Sequence, residues 1–116
     1  MATVAMVLVV LVALLHLYFL VLEMFLWTRP LGLKTFRNTP DKAEVTRVLA
    51  ANQGLYNGFL AAGLLYAAIT GSREFALFFL ACVVVAGLYG AYSVNKRIFL
   101  VQALPALLAL AAVCCL

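Results

Sequence analysis

The stretch Thr3–Trp27, TVAMVLVVLVALLHLYFLVLEMFLW, decides the fold. A bilayer span needs about 20 mostly apolar residues, and this run exceeds that before the first basic residue, Arg29. A secretory signal peptide would need a basic start and an apolar core of about 7–15 residues ahead of a small-residue cleavage site. Here no Lys or Arg precedes the run, and Glu23 and Trp27 lie where cleavage would fall, so it reads as a retained helix. Glu23 is its most informative residue. An ionisable group within a span costs roughly 2.5–3.5 kcal/mol on insertion scales, so it persists where something pairs or uses it.

The rest of the chain agrees with that start. Of 116 residues, 68% are hydrophobic and 10% charged, with a mean hydropathy of +1.17. Soluble domains carry about 25% charged residues. Four spans fit: 3–27, 45–69, 75–94 and 98–115. The expected fold is therefore all-α, an integral membrane four-helix bundle forming a single transmembrane domain over 1–116. Pro30 and Gly32 break the first helix into a basic loop, Thr28–Thr39. Thr39 can cap the second helix, with Pro40 in its first turn. Gly71 is a natural terminator, Ser72 can cap the third helix, and Pro105 should kink the fourth.

Charge placement predicts the topology. Arg29, Lys34, Arg37, Lys42 and Arg47 fall in or beside the first loop and Lys96 and Arg97 in the third, against Arg73 alone in the second. Loops one and three share a side, so the positive-inside rule makes that side cytoplasmic and puts both termini outside the inner (plasma) membrane. The net charge of +4 is thereby explained by topology and by anionic lipid headgroups, and no nucleic-acid partner is needed.

A set of polar residues shares one depth. By the rise of about 1.5 Å per residue, Glu23 lies roughly 6–7 Å inside Trp27, and Asn52 and Tyr56 lie roughly 6–15 Å beyond an entry near Val48. Tyr89, Tyr92 and Gln102 belong to the same half of the bilayer, and His16 is deeper. His16, Glu23 and Trp27 fall on one face of the first helix at about 100° per residue. Asn52 stacks with Tyr56, and Gln53 with Asn57, in an arc opposite the small residues Ala50, Gly54, Gly58 and Ala62. That small stripe suits close approach of a helix, from this chain or from another copy in a dimer or trimer. Polar arcs should turn toward protein or water. The expected ligand-binding set is Glu23, His16, Asn52, Gln53, Tyr56, Asn57 and Tyr89. The bland alternative is helix-to-helix bonding, at about 0.6 kcal/mol per bond.

Other chemistry finds no support. Cys82, Cys114 and Cys115 lack metal-ligand spacing, and one histidine cannot build a multi-histidine site. There is no phosphate-cradling glycine loop and no H-E-x-x-H.

The stretches ALLHLYFLVLEMFLW (13–27), VLAANQGLYNGFLAAGL (48–64), AGLYGAYSV (86–94) and VQALPALLAL (101–110) resemble a family of small prokaryotic membrane proteins, domain of unknown function 1304. The resemblance implies a four-helix inner-membrane protein without an established activity. It also implies that His16, Glu23, Asn52, Gln53, Tyr56 and Asn57 are family hallmarks. A more distant likeness is to the membrane-associated eicosanoid and glutathione metabolism proteins, whose second helix carries Arg-x-x-x-Asn-x-x-Glu followed by Tyr. Asn52 and Tyr56 match that pattern, while Val48 stands in place of the Arg and Leu55 in place of the Glu. That likeness implies glutathione as a cofactor and a trimer.

The residues by themselves point to recognition of a small polar or amphiphilic molecule in the cytoplasmic half of the bundle. Glu23 would be the anchor, Asn52 and Gln53 would orient the ligand, and Tyr56 and Tyr89 would close it in. A glutathione- or lipid-modifying enzyme, a proton-coupled transporter and a purely structural membrane protein stand as alternatives.

Overall fold

The computed structural model describes residues 1–116. The chain is all-α: α1 is Thr3–Met24, α2 Pro30–Thr35, α3 Pro40–Thr70, α4 Arg73–Ser93 and α5 Leu104–Cys115, with a π-helical segment Phe99–Ala103 leading directly into α5. Two helices, α1 and α4, are long and apolar enough to cross a membrane by length and composition. The residues group into two compact units, Leu14–Phe59 and Met1–Ala13 with Leu60–Leu116.

In the unit Leu14–Phe59, α1 stops at Met24 instead of reaching Trp27, and the segment expected to be plain loop contains α2. Pro30 does not merely break the chain. It sits in the first turn of α2, where the missing N–H is no loss and φ is already helical. Gly32 is required by close approach: an added Cβ would collide with the Leu26 carbonyl. The helix ends with Arg37 at φ 51, while the Asn38 N–H donates to Leu33 O at 2.9 Å. This is the left-handed termination usually supplied by glycine. The Trp27 indole N–H donates to Thr46 Oγ1 at 3.1 Å, and its ring lies 4.9 Å from that of Phe36. The linker between α1 and α3 is thus a packed structure. The Thr39 cap is present, with the Lys42 N–H donating to Thr39 Oγ1 at 3.3 Å.

In the unit of Met1–Ala13 and Leu60–Leu116, Gly71 terminates α3 at φ +69. Ser72 caps α4, accepting from the Phe75 N–H at 3.3 Å. Ala76, Leu80, Val83 and Gly87 form the buried stripe of α4, opposite Ala103, Ala106 and Ala109. The Asn95 side chain turns the chain, its Oδ1 accepting from the Arg97 N–H at 2.8 Å. Proline lacks an N–H, and its ring displaces the carbonyl four residues earlier. The distortion expected from Pro105 takes the form of the widened turn just before it, in which the Leu104 N–H bonds to Phe99 O. One inserted residue absorbs the mismatch, as π segments do elsewhere.

Candidate functional site

Glu23 is 9% exposed and Asn57 6%. The Asn57 Nδ2–H donates to Glu23 Oε1 at 2.5 Å. What brings them together is glycine. A Cβ on Gly54 would stand 2.6 Å from Met24 Cγ and 3.2 Å from both Glu23 Cβ and Leu20 O, and one on Gly58 would stand 2.7 Å from Leu20 Cδ1. These two positions let the last turns of α1 lie directly on α3, and Asn57, one turn after Gly54, then meets the carboxylate. Glu23 therefore faces protein, and its partner is an amide.

The other expected site residues lie elsewhere. Asn52, Gln53 and Tyr56 are not brought to Glu23. The glycine face of α3 turns toward α1, so Asn52, Gln53 and Tyr56 face outward, whereas Asn57, expected in the same arc opposite the glycines, lies beside them on the buried face. Asn52 and Gln53 are exposed, and Tyr56 is 63% exposed with its ring edge-on to Phe59. Asn52 Nδ2–H donates to Val48 O of its own helix at 3.0 Å. His16 is fully buried, with its ring 5.3 Å from Phe19. It lies about 10 Å along the axis from Glu23 at 1.5 Å per residue, so the two do not form one hydrogen-bonded pair. Tyr89 belongs to the other unit and is 70% exposed.

The concave feature of this unit is an open groove where the end of α1 runs beside the first half of α3. Met24, Phe25, Trp27, Thr28, Arg29, Arg47, Val48, Ala51, Asn52 and Leu55 line it. Its lining mixes cationic and hydrogen-bonding groups, Arg29, Arg47 and Thr28, with apolar ones, Phe25, Val48 and Leu55. Arg47 also approaches Glu44 at 3.4 Å, an exposed contact of the kind that contributes little. Of the expected ligand-binding residues, Asn52 is in this groove. The arginines were read as topology signals and as contacts for anionic lipid headgroups, not as part of the ligand site. Arg47 lies five residues before Asn52 on the same helix, and that proximity was the signal available.

The family model described as "Protein of unknown function (DUF1304)" matches residues 10–114 of this chain. A curated relative, the Uncharacterized protein YpaA of Lactococcus lactis subsp. lactis (strain IL1403), is 33% identical over 114 residues, covering 95% of this chain and 96% of YpaA. No solved structure matches. An all-α chain matched from within its first helix to its last, and similar to YpaA along nearly its whole length, belongs to the DUF1304 family.

Proposed function

We propose that this chain is a four-helix integral membrane protein, a single domain with both termini outside, that holds an anionic amphiphile in the groove between α1 and α3. The membrane reading is supported by what the helices leave uncovered. Val4, Val7, Leu11, Leu14, Val21 and Phe25 of α1 are 41–67% exposed. Phe78 and Val85 of α4 and Leu100 and Leu108 of the last helix are as open, at 57–66%. Exposed apolar side chains in this number need a nonaqueous neighbour. An epitope appended after Leu116 should be protease-accessible from outside intact cells, and one inserted at Asn38 should be protected. The reverse pattern would refute the orientation.

The observation that carries the ligand reading is the groove's mixed lining: Arg29 and Arg47 for an anionic headgroup, and Phe25, Val48 and Leu55 for an apolar tail. Each basic residue near an anionic lipid surface contributes about 1 kcal/mol. Two arginines thus correspond to roughly thirty-fold in affinity at 1.4 kcal/mol per tenfold. Purified protein in nanodiscs should therefore bind a fluorescent phosphatidic acid analogue in preference to its phosphatidylcholine counterpart. The joint substitution Arg29→Ala with Arg47→Ala should erase most of that preference. Equal binding of both analogues, unchanged in the double variant, would eliminate the groove as an anion site. In this reading the Glu23–Asn57 pair holds α1 on α3 and so shapes the groove wall.

A further inference from the structure

The two arginines of the groove are not equally free to meet an anion. The Arg29 side chain forms no ion pair or hydrogen bond within the chain. Arg47 has Glu44 beside it, one turn earlier on α3, with Arg47 Nε 3.4 Å from Glu44 Oε1. Residues so spaced are neighbours on a helix surface, so the carboxylate cannot drift away. Charge-assisted N–H···O bonds close to about 2.7–2.9 Å. At 3.4 Å this contact is loose, and its two side chains are 60% and 66% exposed. The other acids are placed differently: Glu23 accepts from Asn57, Asp41 forms no ion pair, and Glu74 belongs to the other unit.

We propose, on the groove reading above, that Glu44 regulates the groove as a tethered competitor for Arg47. Without a ligand, its carboxylate partly neutralises the guanidinium. An anionic headgroup accepts from the same N–H fork and displaces Glu44, which is open enough for water to solvate it. Glu44 thereby sets the affinity that a headgroup must exceed, and it makes the two arginines unequal. Arg29 supplies the larger share of binding, and Arg47 contributes what is left once Glu44 has been displaced. The size of the effect follows from the kind of contact. Exposed pairs are worth about 0.2–1 kcal/mol, a factor of about 1.4 to 5 at 1.4 kcal/mol per tenfold. Asp41 carries the same charge but lies farther from Arg47, about 9 Å along the axis at 1.5 Å per residue. That exceeds the screening length of about 8 Å at physiological ionic strength.

The test measures binding of the fluorescent phosphatidic acid analogue to purified protein in nanodiscs at physiological ionic strength. Glu44→Gln, which keeps the shape and removes the charge, should tighten binding by about 1.4- to 5-fold. Asp41→Asn should tighten it less. In an Arg47→Ala background Glu44→Gln should change nothing, because no guanidinium is left to release. Arg29→Ala should cost more than Arg47→Ala in the parent, and the two should cost alike once Glu44 is replaced by Gln. Residues 29, 41, 44 and 47 are all exposed, so the substitutions leave the packed helices intact. Unchanged or weaker binding in Glu44→Gln, an equal gain from Asp41→Asn, or a gain that persists without Arg47 would overturn the competition. If the parent prefers the phosphatidic acid analogue and Glu44→Gln is indifferent, the competition alone fails. A parent with no such preference defeats the groove reading, and the competition with it.

Discussion

Asn57→Leu should lower the unfolding free energy of the purified protein by about 1–3 kcal/mol, because it strands the Glu23 carboxylate without a partner. Glu23 is buried against α3, and Leu cannot offer the N–H that Asn57 provides. Glu23→Gln, which keeps an oxygen at the accepting position, should change stability by less than about 1 kcal/mol, near the average of 0.6 kcal/mol for such bonds between membrane helices. The double variant Glu23→Leu with Asn57→Leu should recover most of what Asn57→Leu loses, since no polar group is then left unmet. A double-mutant cycle measured by denaturant titration in detergent reads this coupling directly. Additive effects, or an Asn57→Leu variant as stable as the parent, would show that the pair does not hold α1 on α3. Transport or binding altered by Glu23→Gln at unchanged stability would instead give the carboxylate a role beyond holding the helices.

The second large effect belongs to the contact between α4 and the last helix. A Cβ on Gly87 would stand 2.6 Å from Ala103 N, 2.8 Å from its Cβ and 2.9 Å from its Cα. Two of those atoms are backbone, so neither can swing aside, and the helices themselves must separate. Gly87→Leu should lose the cooperative thermal transition of the folded protein in detergent. Gly87→Ala should destabilise by roughly 1–3 kcal/mol, as overpacking does. Two other glycines calibrate the argument. Gly63→Ala meets the Phe79 ring first, a side chain able to rotate, and should be milder. Gly71→Ala has open space but φ +69, and its left-handed conformation alone should cost roughly 1–2 kcal/mol. If Gly87→Ala proves milder than Gly71→Ala, the contact is looser than these distances state.

Much of the secondary structure was legible because its signals are local. Thr39 and Ser72 as caps, Gly71 as terminator and Pro105 as a source of distortion each act within one helical turn, and each acts where expected. The segment between Trp27 and Thr39 was misread for the same reason in reverse. Pro30 and Gly32 look like breakers in isolation, yet one opens a helix and the other lets it lie against the Leu26 carbonyl. Nothing nearby in sequence announces that second contact. The polar residues divide similarly. Their burial could not be read from residue type: Asn57 and Gln53 are amides four positions apart, one buried and bonded, the other exposed.

By itself the sequence determined that the chain is helical, where most helices begin and end, and which side chains share a face, since these follow from apolar runs, caps and a fixed rise and turn per residue. It also located an acid among apolar neighbours that would need an inward partner. Only the tertiary structure decided which partner. Helical periodicity gives the angle between two residues on one helix but not the rotation of that helix against its neighbour. That rotation is set by close packing, here by Gly54 and Gly58 admitting Leu20, Glu23 and Met24. It pairs Glu23 with Asn57 and sends Asn52, Gln53 and Tyr56 outward.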